Sequence, residues 1–137
     1  MTLDWEYIVS IRFIITPYDP KTWETAASDL EVDVELFEKA LIDNWPEAAI
    51  EHTSKGGLLW SIPDTSFDFR GELQSNRQIV TFGPGDWITY KEFVMWYRRQ
   101  IPESYYLHLF NSSSMDSLII TFETTASDID SFVSNVP

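Results

Sequence analysis

The sequence predicts an α+β domain: two layers, a largely antiparallel sheet of about six to seven strands, and helices packed mainly on one face. Three observations carry this. Short apolar runs with a period of two follow one another across turn residues, as hairpin-linked strands do. Runs with apolar residues three and four apart interrupt them at separate places, as amphipathic helices do. The 137 residues are 44% hydrophobic and 15% aromatic, enough to build one core and in the size range of one domain, residues 1–137.

From Glu6 to Thr16, Val9, Ile11, Phe13 and Ile15 alternate with Ile8, Ser10, Arg12 and Ile14. Apolar residues on both faces predict an inner strand. Pro17-Tyr-Asp-Pro20 ends it. Asp19 is suited to cap a short helix with Pro20 in first position, placing Trp23, Ala26, Ala27 and Leu30 on one side. Asp33 then caps a longer helix, and Val32 lies where it packs on Phe37 as a hydrophobic staple. Phe37, Ala40, Leu41 and Trp45 form its buried stripe, flanked by Leu36, and Pro46 ends it.

Four strands follow. Ala49–Thr53 and Leu58–Ile62 flank the turn Ser54-Lys-Gly-Gly57. Phe67, Phe69, Gly71 and Leu73 alternate with Asp68, Arg70 and Glu72, which predicts one wet face. Gln78–Phe82 is the fourth. Gly83-Pro-Gly-Asp86 breaks the sheet and opens a helix with Tyr90, Phe93, Val94, Tyr97 and Ile101 along one side. Tyr105–Phe110 and Leu118–Glu123 flank the polar loop 111–117, and Asn111-Ser-Ser113 reads as a turn. Thr125 caps a last helix, with Ile129, Phe132, Val133 and Val136 on one face and Asp128 near its positive end.

The chain carries 22 acids against 9 lysines and arginines, a formal charge of −13. Residues 1–51 hold 12 acids and 3 bases, 52–102 hold 5 and 6, and 103–137 hold 5 acids and no base. Acidity therefore belongs to the two ends, whose fields reinforce each other if they lie close together. Such a surface repels polyanions, which argues against nucleic acid and anionic membranes as partners. With no cysteine there is no disulfide, thiol nucleophile or thiolate metal site. No run approaches the roughly 20 apolar residues of a membrane helix. The acidic amino end does not resemble a signal peptide, so the expected compartment is the cytoplasm.

No set of residues spells out a catalytic, cofactor or metal site. His52 and His108 lie on strands without helical ligand spacing. Gly83-Pro-Gly-Asp86 lacks the remaining glycine and the lysine of a phosphate loop, and Asp86 opposes an anion. Arg98 and Arg99 sit where cations meet a helix's negative end; a functional reading has one of them grip a carboxylate or phosphate. Among the tryptophans, Trp23, Trp45 and Trp60 fall on core stripes, and Trp87 and Trp96 are the interface candidates.

The sequence thus points to a non-enzymatic interaction domain that binds and neutralises a basic protein, in the manner of immunity proteins against nuclease toxins. Glu31, Glu35, Glu38 and Asp43 form the centre of the docking face, Asp128 and Asp130 a second patch, and Trp87 or Trp96 an anchor. The alternative is a small enzyme or ligand-binding domain with a polar pocket around His52 or His108. A third reading is self-association through surplus aromatics.

Overall fold

A computed structural model describes residues 13–19, 28–63, 68–83 and 87–134, without the side chains of Trp87, Ile88 and Ser134. The strands are β1 (Phe13–Thr16), β2 (Ala49–His52), β3 (Leu58–Ile62), β4 (Phe69–Leu73), β5 (Val80–Phe82), β6 (Leu107–Asn111) and β7 (Ser117–Ile120). The helices are α1 (Val34–Asn44), α2 (Trp87–Gln100) and α3 (Ala126–Ser134). The short helix expected after Pro20, with Trp23, lies largely outside the described residues; Ser28–Leu30, at its end, are not helical.

Among the described residues, seven strands form one antiparallel sheet in the order β2-β3-β4-β5-β1-β6-β7. Residues 49–82 make a four-stranded meander and β6–β7 a hairpin. β1 joins the two, pairing Phe13 with Phe82 on one side and with Asn111 on the other. Its apolar residues on both faces are those of an inner strand: Phe13 and Ile15 are buried on the helix side, and Thr16 is buried on the opposite side.

The helices cover one face. Phe37 and Leu41 anchor α1, and Phe37 meets Trp60 of β3 with ring centroids 5.7 Å apart. α2 crosses the centre of the sheet, where Phe93 lies 5.0 Å from Trp60, 5.4 Å from Phe69 and 5.6 Å from Phe82. Tyr90 stacks on Phe13 of β1 at 5.6 Å. These are offset and tilted pairs, each worth about 0.5–1.5 kcal/mol beyond the area it buries. α3 packs on α2 and contributes Ile129 and Val133 to the same core.

The turns follow their local chemistry. Asn111 is fully buried, and its side-chain oxygen accepts the backbone N–H groups of Ser113 and Ser114 at 2.8 and 3.1 Å, building the β6–β7 turn. Arg77 adopts a positive φ of 58° in the β4–β5 turn, and its carbonyl accepts the Val32 N–H at 2.9 Å. That bond ties the lead-in to α1 onto the meander.

Candidate functional site

The predicted acidic residues sit on α1 and its approach, and on α3. Asp33 starts α1 by accepting the Leu36 N–H at 3.1 Å. Val32 and Phe37, the expected staple, are both buried in the core. With Phe37 and Leu41 facing inward, Glu35, Lys39 and Asp43 are left exposed on the outside, one turn apart. Glu35 and Asp43 enter no ion pair among the described residues. Glu31 approaches Arg77 at 3.9 Å, with both side chains substantially exposed. Glu38 is half-buried and accepts a hydrogen bond from His52 Nε2 at 2.7 Å, joining α1 to the end of β2. Beyond the predicted residues, exposed Glu47 extends the acids toward β2, whose exposed Glu51 lies on the sheet face away from the helices.

In α3, Asp128 completes a capping box with Thr125. Its carboxylate accepts the Thr125 N–H at 2.9 Å, while the Thr125 hydroxyl accepts the Asp128 N–H at 3.1 Å. Hydrogen bonding to the carboxylate from the Thr125 backbone N–H, and then from its side chain, holds the Asp128 carboxyl below its ordinary range. Asp130 faces Lys91 of α2 at 3.7 Å. The two acidic helices are not neighbours. α1 meets α2 through Trp96 and Tyr97, α3 meets it through Lys91 on the opposite flank, and α2 lies between them. Among the described residues, the two acidic ends thus form separate patches.

Trp96 is half-buried in the aromatic layer, 5.2 Å from Trp45 and 5.8 Å from Phe37, so its ring fastens α2 to α1. Trp87 is the first residue of α2, and its side chain lies outside the description. His108 lies on the sheet face away from the helices, paired with Thr16 and Ile119. Burial lowers its pKa from the ordinary histidine value, and Asp19 acts weakly in the other direction. His52 is 56% exposed, with Glu38 as its partner.

Arg98 has a structural use. It is 2% exposed, and its guanidinium donates to the carbonyls of Ile101, Pro102 and Tyr105 at 3.3, 3.4 and 3.0 Å. The Phe122 ring covers it at 5.0 Å. The fork that a phosphate or carboxylate would need is spent on the α2–β6 connection. Arg99 is exposed. The Gly83-Pro-Gly-Asp86 loop lies beyond the described residues except for Gly83.

A groove runs between the start of α1 and the end of α2, with a volume of about 180 Å³. Val32, Leu36, Phe37, Ile101 and Pro102 provide its apolar wall, Tyr97 lines it as well, and Glu31 and Asp33 stand at its edge. Neither histidine lines it. The one available sequence signal was Leu36, an apolar residue at the margin of the helix stripe, here 66% exposed. Among the described residues no group of three or more potential ligands is placed to hold a metal ion, and no helix is long and apolar enough to cross a membrane.

No family model, curated protein or solved structure matches this chain.

Proposed function

We propose that this domain binds a basic protein through the acidic edge formed by α1 and β2, and neutralises it by occlusion. The observation that carries the reading is the state of that edge. Between residues 31 and 51 stand Glu31, Asp33, Glu35, Glu38, Asp43, Glu47 and Glu51 against a single lysine, Lys39. Of these, Glu35, Asp43 and Glu47 are exposed and enter no ion pair among the described residues, and Glu51 is likewise free on the sheet face away from the helices. A predominantly acidic surface of this kind attracts a cationic partner from a distance and raises the encounter rate.

Occlusion works because a protein that grips phosphate presents clustered lysine and arginine. Carboxylates on a rigid helix compete for those groups and exclude the polyanion. An immunity protein paired with a nuclease toxin has this logic, and we take that partner class as the leading one. The capping box of α3 and the Asp130–Lys91 pair make the α3 patch the lesser candidate, because both of its carboxylates have partners in the chain, whereas Glu35 and Asp43 of α1 enter no ion pair among the described residues.

Capture from the native host's lysate at low salt, followed by a high-salt wash, tests the reading. A basic protein released by salt, which then loses its nucleic-acid activity on adding this domain back, is the expected result. A co-purifying metabolite with no basic protein would favour the ligand-binding alternative instead.

A further inference from the structure

We propose that the groove between the start of α1 and the end of α2 seats one apolar side chain of the partner, with an adjacent lysine or arginine held by Glu31 and Asp33. This deepens the docking reading above and rests on it.

Size selects the occupant. The groove offers about 180 Å³. Sites for whole metabolites generally span about 300–1,000 Å³, whereas a cavity of about 150 Å³ accommodates a single benzene ring. One leucine- or phenylalanine-sized group matches it. The walls are apolar, and Leu36, 66% exposed at the lip, gains a neighbour when the groove is filled.

Two further features narrow the chemistry. Tyr97 gives the groove a fully buried, rigid wall, its ring wedged between Phe37, edge-on at 6.0 Å, and Phe93, stacked at 6.0 Å. The charged residues lining the groove are both acids, Glu31 and Asp33, with no base among its walls. Glu31 is 74% exposed, and its contact with Arg77 is a loose 3.9 Å. A cation flanking the anchor is therefore attracted and an anion repelled. The seat also adjoins Glu35, so an anchored partner would lie along the acidic edge.

The test uses the whole protein, ¹⁵N-labelled, and two amidated twelve-residue peptides of lysine, arginine and glycine, one carrying a central phenylalanine and the other glycine in its place. The phenylalanine peptide is expected to shift the amides of Val32, Leu36 and Ile101 and to bind about fivefold or more tightly than its counterpart. Leu36→Gln, at an exposed position, should remove that advantage while leaving the salt-sensitive binding of the glycine peptide intact. Equal affinities for both peptides, each weakened by salt, would overturn the groove while leaving the acidic docking edge standing. If neither basic peptide bound and an uncharged phenylalanine peptide did, both readings would fall. Groove amides that shift with protein concentration alone would assign the seat to a second copy of the chain, and so contradict the proposal.

Discussion

Gly71 of β4 lies directly against the indole of Trp60 on β3, its partner in the sheet register. A Cβ at position 71 would come 2.6 Å from Trp60 Cε2 and 2.7 Å from Cη2. The absent side chain makes room for the indole, which in turn meets Phe37, Phe69 and Phe93. Gly71→Ala is expected to force the indole out of place and lower stability by about 1–3 kcal/mol. Urea unfolding followed by tryptophan fluorescence measures it; an unchanged midpoint would show that the layer is loosely packed here.

Arg98 yields the second prediction. Arg98→Met keeps the apolar stem but leaves the carbonyls of Ile101 and Tyr105 without their donor. The cost is about 2–3 kcal/mol, since charged hydrogen bonds are lost inside the fold. Arg98→Lys should restore little, because a compact ammonium cannot span three carbonyls as a guanidinium fork does. Equal stability of the lysine variant and the parent would contradict this role.

His108 makes stability depend on pH. Burial lowers its pKa in the folded chain below the unfolded value of about 6.5. Its contribution is complete above that value. As pH falls, the unfolded chain takes up the proton first, and stability declines until the folded-state pKa is passed. His108→Gln should flatten this segment of the profile in denaturant titrations from pH 8 downward, and a profile unaltered by the substitution would count against it.

Elements defined by neighbours in sequence were legible in the sequence. Asp33 with Val32 and Phe37 marked the start of α1, Thr125 with Asp128 marked that of α3, and the alternation in Leu58–Ile62 marked β3, all within a few residues. The predicted strands ran longer than those observed at β4, β5 and β7, where residues such as Gln78 and Ile79 make turn contacts to Asn76. Strand order was not legible, because β1 finds its partners in β5 and β6, far along the chain, and its apolar residues say only that it is flanked.

The candidate site was half legible. Which residues are acidic and outward on α1 follows from helical spacing. Which of them are already engaged does not, since Glu38 meets His52 and Glu31 meets Arg77 only once the meander has folded back. The use of Arg98 and the groove beside Leu36 likewise depend on where the end of α2 comes to lie. Trp96, read from its place on the stripe flank, is indeed half-buried, but its ring is engaged with Phe37 and Trp45.

Capture of a partner by the charge of the α1 edge is read in the association rate. The partner recovered at low salt would be mixed in stopped flow with the parent protein and with the triple variant Glu35→Lys, Glu38→Lys, Asp43→Lys, across a range of ionic strength. The variant should still fold, because the Glu38–His52 pair lies at the surface, with His52 56% exposed, and contributes no more than about 1 kcal/mol. The parent's rate is predicted to fall about tenfold or more as salt rises, and the variant's low-salt rate to be about tenfold or more below the parent's, with dissociation changed far less. Rates that are equal for the two proteins and insensitive to salt would exclude capture through this edge.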